Sequence, residues 1–249
     1  IVPWRLPLPP STMAEEEGEV KVLGAWASPF ALRPRIALNL KSVAYDHLEE
    51  APGGPKSDLL LRSNPHHRKI PVLIHRNRAL AESLVILHYI DETWSAPHLP
   101  SLLPDDPYRR AVARFWASFV DQKWTPWFLS LRDARSREKR AAAVAEIEAG
   151  LGVLEGALEE CGGGRGFFGG EEVGLVDIAL GSFLGWLRVV ETGTGARLID
   201  GAATPGLAAW ADRFCAHPAV KGVMPETKKL LEFSKVLQAK IGTASSTSN

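Results

Sequence analysis

The chain has 249 residues, 45% apolar and 23% charged, with 29 lysines and arginines set against 29 aspartates and glutamates. That length holds one large or two ordinary domains at roughly 100–200 residues each, and the apolar fraction excludes a chain disordered throughout. Zero net charge removes the footprint of a nucleic-acid binder or of a protein held on anionic membranes, while Cys161 and Cys215 alone make neither a disulfide framework nor a zinc cluster.

Residues 1–18 begin with repeated prolines and no periodicity, and Met13 ahead of three glutamates reads as a natural start. They are expected to be a disordered, appended or read-through extension, and residues 242–249 a frayed tail. Val20–Leu23 followed by Gly24 reads as a strand. Ser28-Pro29 then opens a helix to about Lys41, a hydroxyl N-cap ahead of a first-turn proline. Ala44–Leu48 reads as a second strand and Ser57–Arg62 as a short helix. Ile70–Ile74, Arg76-Asn77 and Ala79–Ala81 form a hairpin pattern, and Ser83 caps a helix to about Thr93. The order is βαβ then ββα over residues 19–94.

The proline-rich stretch 95–104 reads as a linker. Residues 105–241 look helical throughout: Asp106-Pro107 to about Trp124, Arg135–Cys161, Leu175–Glu191, Thr204-Pro205 to His217, and Pro225–Lys240. The most apolar of these, Leu175–Val190, is interrupted by Asp177 and Arg188, short of the ~20 clean residues a bilayer crossing needs. The expected fold class is therefore α/β followed by all-α, in a reduced compartment, cytoplasmic or nuclear rather than secreted.

Gly164–Gly169 matches GxGxxG letter for letter, but it follows the end of a helix rather than a strand, so the glycines read as a helix exit and not as a dinucleotide fingerprint. His66, His67 and His75 have no carboxylate partner at a metal-binding spacing and read as solvated loop residues. Ser28 admits two accounts: a cap worth ~1 kcal/mol, or a hydroxyl donor beside the positive end of a helix, aimed at an anion. Glu82-Ser83 offers a carboxylate and a hydroxyl at a second helix start, a set suited to an amino-acid end. A cis bond at Ile70-Pro71 would let Ile70 present its backbone to an extended peptide; the alternative is an ordinary strand-entry proline. Pro34 lies inside the first helix, where a proline brings a kink or a cost of ~3 kcal/mol.

Taken together, Trp26–Arg33, Asn64–His75, Glu82–Trp94 and Gly174–Leu180, with Met224-Pro225-Glu226 and Leu230–Phe233, resemble the plant tau-class glutathione S-transferases over Val20–Ile241. The resemblance implies a thioredoxin-like N-terminal domain that binds glutathione, a helical C-terminal domain that receives a hydrophobic electrophile, and a homodimer. Glutathione is then a co-substrate, with no cofactor and no metal. It implies Ser28 as the catalytic hydroxyl, and Lys56, Lys69, Ile70, Pro71, Glu82 and Ser83 as glutathione contacts. Trp26, Phe30, Trp124, Trp186 and Phe233 are implied for the electrophile. Conjugation to xenobiotics is the expected activity, with reduction of organic hydroperoxides beside it; the alternative is a hydrophobic-ligand carrier that keeps a glutathione site. A serine at the Ser28 position disfavours thiol–disulfide exchange.

Overall fold

The computed structural model describes residues 19–246 except 53 and 135. The extension 1–18 and the end of the 242–249 tail lie outside the described residues. β1 (Val20–Gly24) runs parallel to β2 (Asp46–Glu49) and antiparallel to β3 (Val72–His75), which turns back into β4 (Arg78–Ala81). The strand order is β2-β1-β3-β4. Register sets Val22 opposite Leu73 and Leu23 opposite Val72, so the period of two sends one pair to each face.

Val22 and Leu73 pack with Leu32 and Ile36 of α1 (Pro29–Leu40) and with Ile86 and Ile90 of α3 (Ser83–Thr93). Leu23 and Val72 pack with Leu60 of α2 (Asp58–Ser63) on the other face. The hairpin corner uses Arg76 and Asn77, both at positive φ (51° and 59°), the backbone that matches strand twist in a two-residue loop. This is the mixed-sheet unit expected from the order of elements, and the thioredoxin-like domain that the resemblance implies.

The helical half consists of α4 (Pro107–Phe119), a π turn (Val120–Trp124), α5 (Thr125–Asp133), α6 (Arg137–Gly162), α7 (Leu175–Gly181), α8 (Leu184–Thr194), α9 (Pro205–Ala216), α10 (Pro218–Lys221) and α11 (Thr227–Ser246). Three expectations are corrected. The helix that opens at Pro107 passes through the π turn into α5, with Pro126 in the first turn of α5. The single helix expected over 175–191 is two, broken where the Ser182 hydroxyl donates to the Ala179 carbonyl at 3.1 Å and competes with the backbone ladder. α11 continues to Ser246, past the end expected near Lys240.

Pro34 does not break α1, which is continuous from Pro29 to Leu40. The glycine run is a helix exit and loop: Gly163 ends α6 at φ 58°, and the next helix begins only at Leu175. That loop is tied down by Asp177, whose carboxylate accepts from the backbone N–H groups of Phe168, Gly169 and Gly174 and from the Trp210 indole, at 2.7–2.9 Å. Burial pushes its carboxyl up to about 6 against the pull of those four donors. Cys161 is half-buried, and burial raises its thiol to about 11, so it is no nucleophile at neutral pH.

Two buried cations join the halves. Lys41, at the end of α1, pairs with Asp91 of α3 at 2.7 Å and donates to the Pro100 carbonyl at 2.7 Å. Asp91 also accepts from the Leu102 N–H, and the Leu102 carbonyl takes the first N–H of α7. The connection between α3 and α4 is thereby held from both sides. The second cation, Arg33, belongs to the site described below.

His47 on β2, His75 on β3 and His88 on α3 are held below the usual histidine range by burial, aided by Arg35, by Arg76 and Arg78, and by Arg114 respectively. Each therefore takes up its proton at lower pH in the fold than in the unfolded chain, where it titrates near 6.5. Stability is therefore lost as pH falls below that value. The thermal unfolding midpoint should drop between about pH 7 and pH 5.5, and His88→Gln should flatten that part of the curve; an unchanged slope would show that the imidazoles do not contribute.

Candidate active site

The end of β1 delivers the chain to α1 through a close contact. A Cβ on Gly24 would stand 2.6 Å from the Ala31 Cβ, so only glycine lets the strand end meet the first turn of α1. Ser28 is the N-cap, with extended backbone (φ −83°, ψ 119°), and its oxygen accepts from the Ala31 N–H at 3.3 Å. An oxygen engaged as an acceptor keeps its own proton free to donate. No acidic residue lies in the first turn of α1, so the positive end of the helix is uncompensated. Both accounts of Ser28 therefore hold at once: it caps the helix and still offers a donor.

The second helix start corrects one expectation. Ser83 is not the cap of α3 but its first residue, and Glu82 occupies the cap position at φ 71°, with no side-chain cap bond. The carboxylate of Glu82 faces outward and meets Nδ1 of His67 at 2.6 Å. Ser83 is buried, and its hydroxyl accepts from the Arg33 guanidinium at 2.9 Å.

Arg33 has 0% exposure and every part of its guanidinium is engaged. It forms a two-pronged pair with Asp121 (2.7 and 3.1 Å) and donates to Ser83, to the Ala179 carbonyl (2.9 Å) and to Ser182 (3.4 Å). The rings of Phe30 and Phe183 lie 5.1 and 5.6 Å from its central carbon. One side chain thus connects α1, α3, the π turn and α7.

The third wall is the turn before β3. The Ile70-Pro71 bond is cis. Asn64, buried at the end of α2, accepts from the His67 N–H at 3.2 Å and donates to the Lys69 carbonyl at 2.9 Å, which fixes the loop that carries Lys69 and Ile70. Opposite, Glu50 holds both the N–H and the hydroxyl of Ser57, the N-cap of α2, and so steadies the loop bearing the exposed Lys56.

Ser28, Phe30, Glu50, Lys56, Arg68, Lys69, Ile70, Phe233 and Leu237 are among the residues lining a cleft of about 470 Å³, a volume suited to a small organic ligand; Glu82, Ser83 and Trp26 are not among its lining residues. Its lining combines the cations Lys56, Arg68 and Lys69 with the apolar Phe30, Ile70, Phe233 and Leu237. The expected aromatic positions separate. Phe30 and Phe233 line the cleft, and Trp186 lines the narrow seam beside Ser28 while its indole donates to the Ala27 carbonyl at 2.7 Å. Trp26 packs edge-on against Phe233 (5.3 Å) beneath the Lys229 ammonium, at the margin of the cleft.

Trp124 is a correction. It is 0% exposed, stacked on Phe128 and edge-on to Phe183, and a Cβ on Gly150 would stand 2.7 Å from its ring. The π turn directs it into the helical core, not toward a ligand. His75 is corrected too: it is buried on β3, with Nδ1 2.8 Å from the Tyr89 hydroxyl.

A family model described as the glutathione S-transferase N-terminal domain matches residues 18–92, and one for the C-terminal domain matches residues 134–213. Glutathione S-transferase U17 of Arabidopsis thaliana is 54% identical over 87% of this chain and 95% of its own length. A tau-class glutathione S-transferase from mango, Mangifera indica, solved by crystallography, is 55% identical and aligns with a TM-score of 0.84 over 88% of this chain and 98% of that one. The chain belongs to the tau-class glutathione S-transferases. A rice transferase solved in complex with glutathione is 41% identical and aligns with a TM-score of 0.80 over 90% of this chain and 98% of its own.

Within this transferase, sequence reading missed Arg33, Asp121, Asn64 and the His67–Glu82 contact. All of these residues but Asp121 lay within recognised motifs, but nothing in a motif string reveals which side chains meet or which charge is buried. Arg33→Met should cost about 3 kcal/mol of unfolding free energy, the lower end for breaking a buried pair because Asp121 keeps some access to water. Adding Asp121→Asn should cost clearly less than the sum of the two single changes; urea denaturation of the cycle tests this, and additivity would mean that the pair does not act as a unit.

Proposed function

We propose that the cleft binds glutathione extended between the two helix starts, and that Ser28 donates a hydrogen bond to its sulfur. A free thiol titrates near ~8.5, and the thiolate is the nucleophile. Stabilising that thiolate by two pKa units needs ~2.7 kcal/mol, within the reach of one charge-assisted hydrogen bond and a helix N-terminus. The observation that carries this reading is the Ser28 oxygen: it is already accepting from the Ala31 N–H, so its proton is free to face the cleft at the positive end of α1. On this reading Ser28 is a donor and not a nucleophile.

The remaining roles follow from charge and position. Lys56 and Lys69 meet the glycine carboxylate, and Ile70, ahead of the cis Pro71, pairs its backbone with the cysteinyl unit. Glu82 takes the γ-glutamyl ammonium, while Ser83, oriented by Arg33, takes the neighbouring carboxylate. The thiolate then attacks the electrophilic carbon of an apolar substrate held against Phe30 and Phe233. The thiol proton leaves to solvent, and the leaving group departs with its electron pair. Proximity in a partly dry cleft adds to the rate. We propose further that the transferase works as a homodimer in the cytoplasm. Val85 on α3 and Tyr108 and Phe115 on α4 are large exposed apolar side chains that a second copy would cover.

Ser28→Ala should lower kcat/KM for conjugation at least ~10-fold near neutral pH, a loss of about 1.4 kcal/mol. Retention on immobilised glutathione should persist, and the bound thiol should titrate higher, as read from its ultraviolet thiolate absorbance. Unchanged turnover with an unchanged thiolate signal would overturn the proposed role.

A further inference from the structure

The carboxylate of Glu82 has a keeper that the proposed mechanism does not use. Glu82 sits at a helix cap with left-handed backbone, φ 71°, a conformation that non-glycine residues adopt mainly where surrounding structure enforces it. Its side chain makes no cap bond to α3 and is largely exposed. A long, exposed carboxylate in such a place would be spread over several rotamers. It is held instead by Nδ1 of His67 at 2.6 Å.

The contact has a fixed sense. A carboxylate only accepts, so Nδ1 carries the proton and the imidazole donates. The bond occupies one lone pair on Oε1 and leaves Oε2 open. His67 is itself placed, because its N–H donates to the Asn64 side chain, and that side chain also holds the Lys69 carbonyl ahead of Ile70. The same asparagine therefore sets both the residue that steadies Glu82 and the backbone beside the cis proline.

We propose that His67 is a positioning residue for the γ-glutamyl end of glutathione. It fixes the Glu82 carboxylate through Oε1 so that Oε2 meets the ligand ammonium without further ordering. The inference rests on the reading of Glu82 as the γ-glutamyl contact. It predicts tighter binding from pre-organisation, with no part in the reaction at sulfur.

The test compares glutathione with its des-amino analogue, glutaryl-cysteinyl-glycine, in conjugation to a chloro-nitroaromatic. His67→Ala should raise KM for glutathione about five- to tenfold with kcat within about twofold, the range expected for freeing one long side chain. His67→Asn should recover most of the loss, because its carboxamide nitrogen stands where Nδ1 stood. The des-amino analogue should show no such penalty, having no ammonium for Glu82 to receive. An unchanged KM in His67→Ala, while the parent enzyme still prefers glutathione to the analogue, overturns the role of His67 alone. An equal rise for both substrates makes His67 merely structural and overturns it too. If the parent enzyme uses both substrates equally well, the assignment of Glu82 fails, and this inference fails with it.

Discussion

The structure turns on a guanidinium buried at the meeting of its two halves. Burying a charge is costly unless it is paired and hydrogen-bonded, and Arg33 of α1 meets that condition only because three other elements converge on it. Asp121 supplies the charge, Ala179 and Ser182 supply acceptors from the helical half, and Ser83 supplies one from the sheet half. Five residues earlier on the same helix, Ser28 faces the cleft. Arg33 thus ties the helix that begins at Ser28 to Ser83, and the helical half is docked by the same set of bonds.

The π turn makes this possible. The extra residue in Val120–Trp124 lets Asp121 reach Arg33 while Trp124 turns into the core against Phe128 and Phe183. Such widened turns recur at functional sites because they re-aim side chains without ending a helix. Lys41 with Asp91, and Asp177 with its four donors, do the same for the connecting segment and the glycine loop. Buried nodes therefore support a cleft whose polar lining residues, Ser28, Lys56 and Lys69 among them, are exposed or half-buried.

Much of this was legible in the sequence. Val20–Gly24, Ser28-Pro29 and the Arg76-Asn77 corner carry local rules of strand period, capping and turn backbone, and their elements form as those rules require. Ile70-Pro71 and Glu82-Ser83 needed the family resemblance, because each has a common structural explanation at single-residue level. What failed depended on backbone geometry and side-chain partners that a residue pattern does not encode. Trp124 looks like a ligand-facing aromatic until a π turn rotates it inward, and Ser83 looks like a cap until Glu82 takes left-handed backbone and Arg33 claims the hydroxyl. Ser182 hides a helix break because Leu175–Glu191 is apolar on all sides, which masks where one axis ends. Pro34, read as a threat to the first helix, leaves it continuous.

The sharing of Arg33 between halves bears on how such chains recombine. A crossover between relatives in the segment joining α3 to α4 looks harmless, since it falls outside the helices. It would nonetheless separate the cation on α1 from its counter-ion in the π turn, and an exchanged half bearing another residue at that turn would inherit a stranded charge under its own active centre. An exchanged helical half keeps the pair only where it carries a carboxylate that reaches Arg33 from this turn.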